Sequence, residues 1–229
     1  MSKILAFYRS PVGKKAVMAA TGFLLFGFVF VHMAGNLKLY QGAEAMNKYA
    51  EFLRDFGKPV LPREGVLWVA RVALLAAAGL HILSAAQLTL LARRARPQDY
   101  ERRARIKATY ASRTMRWGGV IVLAFILYHL AHFTFGPAWA HPDFVHGDVY
   151  HNVVAGFSVW WVAAFYVVAQ VLLGLHLYHG LWSMFQSLGW YVADDPNDWR
   201  RRFAQVFAVV IAVVNISFPV AVLTGIVGG

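Results

Sequence analysis

The chain has 229 residues, of which 59% are hydrophobic and none is cysteine, and its formal net charge is +11. This apolar content is above that of ordinary soluble domains, so the composition indicates a polytopic membrane protein. The lack of cysteine excludes disulfides, thiolate-bound iron–sulfur clusters and thiolate zinc sites in this chain. No polar stretch is long enough to build a second core, so we expect residues 1–229 to form a single membrane domain.

Five segments are long and apolar enough to cross a bilayer, which takes about 20 residues per helix. They cover residues 12–35, 66–91, 117–135, 157–185 and 203–226. We therefore predict an all-α integral membrane bundle of five transmembrane helices. No small-residue cleavage pattern follows the first segment, so we expect it to be a retained span and not a signal peptide.

The loops differ strongly in positive charge. Nine basic residues lie between spans two and three, from Arg93 to Arg116, whereas residues 136–156 contain no Lys or Arg. Because Lys and Arg accumulate on the cytoplasmic side, we predict a cytoplasmic N-terminus and an outside C-terminus. This topology accounts for most of the net charge, so we expect contacts with membrane lipids and no nucleic-acid partner.

Acidic residues are missing from the membrane. All eleven Asp and Glu residues lie outside the predicted spans. A proton-driven transporter or pump usually needs a carboxylate at membrane depth, so that class is disfavoured. A haem-free channel or transporter stays open as an alternative of a different class.

Histidines, in contrast, are frequent in the membrane. A single buried histidine can simply hydrogen-bond a neighbouring helix. Here spans one to four each carry at least one, and span five carries none. A low-spin b haem needs two imidazoles from facing helices, so four such helices could hold two haems. The six histidines in or at the spans are His32, His81, His129, His132, His176 and His179.

Depth sorts four of these histidines into two pairs. His81 and His176 lie ten and nine residues before the predicted inner ends of their spans, or about 15 Å at 1.5 Å per residue. His32 and His129 lie near the outer ends of theirs. We therefore predict an inner pair, His81 with His176, and an outer pair, His32 with His129.

Two further histidines keep the assignment open. His132 follows His129 by three residues, and His179 follows His176 by three. Residues at this spacing share a helix face, so depth alone does not choose between the members.

Three motifs carry a resemblance to a known family. The sequence HMAGN from His32 with the following GAEA, the sequence YHL around His129, and HLYHGLWS from His176 resemble those of the di-haem cytochrome b membrane anchor of succinate:quinone oxidoreductases. The resemblance extends over essentially the whole chain. It implies that the axial ligands are His32, His81, His129 and His176, with His132 and His179 as second choices.

The resemblance also implies cofactors and partners. The anchor would carry two haem b groups in a bacterial cytoplasmic membrane and exchange electrons with a quinone, menaquinone being frequent in this family. Its partners would be a flavoprotein with covalent FAD, which interconverts succinate and fumarate, and an iron–sulfur protein. Some menaquinol-oxidising members carry a glutamate two residues before the ligand in span four, where this chain has Gly174.

Several polar residues are candidates for secondary roles. Arg71 lies inside the outer end of span two and could either reach the outer interface or pair with a haem propionate. His179 could instead contact a propionate or a quinone. We expect the histidines of the outer loop to be solvent-exposed. Candidate quinone residues are Asn36, Glu44, Glu51 and His132, and the outer-loop histidines are His141, His146 and His151.

A second class of haem-binding membrane subunits stays open as an alternative. The cytochrome b subunits of hydrogenases, formate dehydrogenases and nitrate reductases also combine membrane histidines with quinones. Their ligand spacing differs, and the GAEA loop and the Trp182-Ser183 segment argue against them.

Overall fold

The computed structural model describes residues 3–95, 110–190 and 198–228. These residues form helices and connecting turns, and they include five helices long and apolar enough to cross a membrane. The predicted all-α bundle of five spans is therefore confirmed. The five long helices are α2 (Pro11–Asn36), α4 (Gly65–Arg94), α5 (Tyr110–Leu130), α7 (Trp160–Ser187) and α8 (Trp199–Leu223).

Three shorter helices lie at the ends of the bundle. Helix α1 (Lys3–Arg9) precedes α2, so the end of the bundle where it lies is named the α1 end. Helices α3 (Ala43–Asp55) and α6 (Val149–Ser158) pack on each other at the opposite end, named the α3 end. A 3-10 helix (Leu37–Gln41) extends α2, and a π-helical turn (Ala131–Phe135) extends α5.

The fourth span starts later than predicted. The apolar run from residue 157 is interrupted at Val159, whose extended backbone (φ −81°, ψ 104°) separates α6 from α7. Both sides of this break are apolar, so composition alone cannot show it. The fifth span begins at Trp199 rather than at residue 203, because the buried Asp198 caps the helix by accepting a hydrogen bond from the Arg200 amide.

The long helices associate in pairs. Close backbone contacts join α2 to α4 and α5 to α7, and α8 packs along α7. Gly174 permits that last approach, because a Cβ there would lie 3.1 Å from the Ala212 Cβ. In the described part of the chain, α4 has little direct backbone contact with α5 or α7. The α2–α4 pair therefore contacts the α5–α7 pair mainly through α2 and α7.

Polar contacts tie the short helices together at the α3 end. The Asn47 amide donates to the Asp148 carboxylate (2.9 Å) and its carbonyl accepts from the Tyr150 amide (3.1 Å). Asp148 also caps α6 by accepting from the His151 amide (2.9 Å). These hydrogen bonds, the one from His151 first and the one from Asn47 second, hold the pKa of the Asp148 carboxyl below its ordinary value.

Five of the nine basic residues between the second and third spans lie outside the described residues, namely Arg96, Arg102, Arg103, Arg105 and Lys107. The orientation of the bundle therefore stays a prediction from the charges of the loops.

Candidate functional site

The two predicted histidine pairs lie where helices face each other. The ring centres of His32 on α2 and His129 on α5 are 5.9 Å apart, with ring planes at 87°. The ring centres of His81 on α4 and His176 on α7 are 6.5 Å apart, with ring planes at 65°. Each histidine pair therefore joins the α2–α4 unit to the α5–α7 unit.

This spacing fits one metal ion between each pair of imidazoles. A metal–imidazole bond is about 2 Å long, so two rings that bind the same ion from opposite sides have centres roughly 6 Å apart. No cluster of three or more His, Asp or Glu side chains that could hold a metal is present among the described residues. Two-imidazole sites without carboxylates suit haem iron, whose other four ligands come from the porphyrin.

The inner pair is held by groups on the helices beside it. The His81 Nδ1 lies 3.1 Å from the Met18 carbonyl oxygen and 3.4 Å from the Thr21 hydroxyl of α2. An Nδ1–H that donates to this carbonyl leaves Nε2 as the metal-binding nitrogen. Among the described residues, the buried His176 Nδ1 has no hydrogen-bond partner.

Two glycines make room for the inner imidazoles. A Cβ at Gly22 of α2 would lie 3.3 Å from the His81 ring, and one at Gly119 of α5 would lie 3.6 Å from the His176 ring. Each helix pair thus packs a glycine of one helix against the histidine of the other. Small residues of this kind allow close helix packing in membranes.

The outer pair is linked to His132 through Tyr166 of α7. The Tyr166 hydroxyl lies 3.3 Å from the His129 Nδ1 and 3.0 Å from the His132 Nδ1. His132 is only 1% exposed, and its Nε2 packs against α6, where a Cβ at Gly156 would be 2.7 Å away. Of the two histidines at this end of the third span, His129 is therefore the one whose ring faces His32.

The residues predicted to have secondary roles do not lie together around the histidine pairs. Arg71 lies over the Trp68 ring (4.9 Å) and 3.7 Å from the Glu64 carboxylate at the α3 end. Glu44 is 81% exposed and pairs with Lys48. Neither residue has a described contact with the outer pair, so their predicted roles rest on sequence alone.

The remaining candidates fall into two groups. Asn36 ends α2 one turn after His32, close along the chain to the outer pair. Glu51 instead forms ion pairs with Arg54 of α3 and with Arg63, which lies between α3 and α4. His179 lies one turn after His176 and is partly buried. The ring that contacts His81 in an edge-to-face arrangement is that of His176.

The prediction that His141 is solvent-exposed is wrong. Its side chain is 2% exposed, its Nε2 donates to the Asn152 carbonyl (2.8 Å), and its ring centre lies 4.9 Å from that of His132. The loop folds back over the end of α5 because Gly136 adopts a left-handed conformation (φ 60°) with the Phe144 ring against it. His146 and His151 are exposed as predicted.

Sequence reasoning missed the residues that hold the histidines. Tyr166, Gly22 and Gly119 have no motif of their own, although glycines and a tyrosine inside apolar spans are a weak signal for helix contacts. The Met18 contact comes from the backbone, which no side-chain pattern reveals.

A comparison with protein families identifies the chain. Residues 91–216, more than half of its length, match the family model described as succinate dehydrogenase/fumarate reductase transmembrane subunit. The chain belongs to this family. The matched residues of this transmembrane subunit include His129 and His176, while His32 and His81 lie before them. No curated protein and no solved structure matches the chain.

Proposed function

We propose that this transmembrane subunit holds two b haems and passes electrons between an iron–sulfur subunit and a quinone in the bacterial cytoplasmic membrane. The observation that carries the proposal is the presence of two facing imidazole pairs, with ring centres 5.9 and 6.5 Å apart. His32 and His129 would hold the outer haem, and His81 and His176 the inner one. Bound haem supplies one-electron chemistry, and the protein positions and tunes it.

The two pairs lie at different depths in the bundle. Tyr166 contacts the outer ligand His129 and precedes the inner ligand His176 by ten residues on the same helix. At 1.5 Å per residue the two levels are about 15 Å apart along α7. This separation supports a relay that carries electrons from one side of the membrane towards the other.

The chain needs partner subunits for the dicarboxylate chemistry. It has no cysteine to hold iron–sulfur clusters, and its membrane segments hold no acidic side chain. Membership of the family supports an iron–sulfur subunit as electron partner and a flavoprotein with covalent FAD as the site of succinate–fumarate interconversion. We place the iron–sulfur subunit at the α1 end, which the charge rule assigns to the cytoplasm.

The quinone, proposed to be menaquinone, would react near the outer haem. Asn36 and Arg71 are the candidates at that end for contacts with the quinone and with a propionate. We expect no proton route through an acid at position 174, because the residue there is Gly174. Gly174 is buried against α8, and a longer side chain there would force α7 and α8 apart.

Membership of the family also favours this function over its alternatives. Cytochrome b subunits of hydrogenases, formate dehydrogenases and nitrate reductases also bind haem through membrane histidines, but they work with other catalytic partners. A haem-free channel or transporter would give the facing imidazole pairs no common role.

The test is a redox titration of the purified complex with an optical readout. We expect reduced b-type absorption, two haems per copy of this chain, two midpoint potentials and co-purification with a flavoprotein. A preparation without b-type absorption would refute haem binding. Two haems with a partner other than a flavoprotein would instead favour the hydrogenase-type alternative.

A further inference from the structure

Tyr166 lies between two histidines and is held there rigidly. Its side chain is 4% exposed, and its ring packs edge-on against Phe125 (centres 5.1 Å apart) and Phe157 (4.9 Å). Its hydroxyl is within hydrogen-bond distance of the Nδ1 atoms of both His129 and His132. With the ring confined on both sides, the hydroxyl cannot easily leave these two nitrogens.

One hydroxyl proton decides the direction of both hydrogen bonds. An imidazole that binds iron through Nε2 keeps its proton on Nδ1, so His129 can only donate to the Tyr166 oxygen. The Tyr166 hydroxyl must then donate to the His132 Nδ1, which accepts only when it carries no proton. This assignment puts the proton of neutral His132 on Nε2.

His132 is itself fixed by its surroundings. Its ring stacks on Tyr128 (centres 5.4 Å apart, planes at 27°) and lies beside His141, whose Nε2 donates to the Asn152 carbonyl of α6. A continuous series of contacts therefore runs from α6 through two buried histidines and Tyr166 to His129. In the part of the chain that the structure describes, no comparable support reaches His176, whose Nδ1 has no hydrogen-bond partner there.

We infer that Tyr166 is the positioning residue for the outer haem ligand and that His132 holds Tyr166 in place instead of binding iron. The inference rests on the proposed function, because it requires His129 to be a ligand. A hydrogen bond from the distal nitrogen of a ligating imidazole fixes its orientation and raises its basicity. A more basic ligand favours ferric iron, so Tyr166 would lower the potential of the outer haem.

The test replaces the hydroxyl in the intact complex. In Tyr166→Phe we expect both haems to stay bound, the midpoint potential of the outer haem to rise and its low-spin electron paramagnetic resonance signal to shift. The inner haem should keep its wild-type values. His32→Ala, which removes an outer ligand, identifies which titration wave belongs to the outer haem.

Tyr128→Phe is the matched control. Tyr128 is a partly buried tyrosine on the neighbouring helix α5, and its buried hydroxyl has no hydrogen-bond partner among the described residues. Loss of that hydroxyl should leave both potentials unchanged. If Tyr166→Phe also leaves both haems at wild-type values, or if it shifts both equally, the inference is overturned.

A second pair of variants tests the part assigned to His132. His132→Asn keeps an acceptor near the position of Nδ1 and should retain the wild-type potential, whereas His132→Leu removes it and should shift the outer haem in the same direction as Tyr166→Phe. Loss of the outer haem in both His132 variants would show that His132 is the ligand. A wild-type complex without two haems refutes the proposed function before any variant is measured.

Discussion

Individual imidazoles in this protein lie at membrane depth, where a polar group without a hydrogen-bond partner costs free energy. His81 meets a backbone carbonyl, and His129 and His132 share the Tyr166 hydroxyl. The one buried imidazole nitrogen of the proposed ligands without a partner is the His176 Nδ1, among the described residues. For His81 and His129, whose Nδ1 atoms have these partners, the arrangement suits an imidazole that binds a metal through Nε2.

Removal of a ligand from the inner pair should remove one haem. In His81→Ala or His176→Ala, iron loses one of two imidazoles, so we expect the ratio of haem to protein to fall from two to one. His179→Ala is the control and should keep two haems, because the ring of His176 is the one that faces His81. A pyridine haemochrome assay gives the ratio, and haem loss in the His179 variant would contradict the assignment.

Asp148 should stabilise the α3 end through its charge. Loss of a helix cap typically costs about 1 kcal/mol, so we expect Asp148→Ala to lower the thermal midpoint and Asp148→Asn, which keeps an acceptor, to lower it less. The pKa of this carboxyl is lowered in the folded protein, so its stabilising effect is present above the ordinary pKa of about 3.9.

The pH dependence provides the check on Asp148. The part of the stabilisation that comes from the charge should disappear as the pH falls through the lowered pKa, so the difference between wild type and Asp148→Ala should shrink. Thermal midpoints measured between pH 7 and pH 3 test this. A difference that is unchanged at pH 3 would show that the charge has no part in it.

At the scale of the element, glycines set how closely the helices approach. Gly22, Gly119 and Gly156 each face an imidazole on a neighbouring helix, and Gly174 faces α8. The amphipathic pattern of α3 is readable in the sequence, since its charged residues recur on one side. The break between α6 and α7 is not readable, because it falls within a continuous apolar run.

Gly156→Ala should damage the outer end of the bundle. The new Cβ would lie 2.7 Å from the His132 Nε2 and 3.3 Å from the His141 Nε2, both on buried rings. Such overpacking typically costs about 1–3 kcal/mol, so we expect a lower thermal midpoint and a shifted outer haem. Gly180→Ala is the control, since its Cβ would meet only the end of Met115 at 3.8 Å. Equal thermal midpoints for Gly156→Ala and Gly180→Ala would contradict this packing.

At the scale of the whole molecule, two helix pairs face each other with the imidazoles between them, and α8 supports one pair from the side. We expect the five spans to put the two chain ends on opposite sides of the membrane. The loop charges predict that the α1 end faces the cytoplasm.

The orientation of the bundle in the membrane can be tested with single introduced cysteines, because the chain has no cysteine of its own. We expect Glu44→Cys, at an exposed position of the α3 end, to react with a membrane-impermeant thiol reagent in intact cells. Leu188→Cys, exposed at the α1 end, should react only after the membrane is opened. The reverse pattern would invert the proposed orientation and move the iron–sulfur partner to the other end.

The sequence by itself determined the membrane class, the five spans and which helices carry histidines, because hydropathy and residue type are local properties of the chain. Depth counting also sorted the histidines into an inner and an outer level, since helical rise converts residue number into height, and the family resemblance chose His129 and His176 over their neighbours. Only the tertiary structure decided that His132 turns towards α6, that His141 is buried, and that Tyr166 and the Met18 carbonyl support the imidazoles. Those features depend on the rotation of each helix about its axis and on the fold of a loop, which follow from packing between segments far apart in the chain.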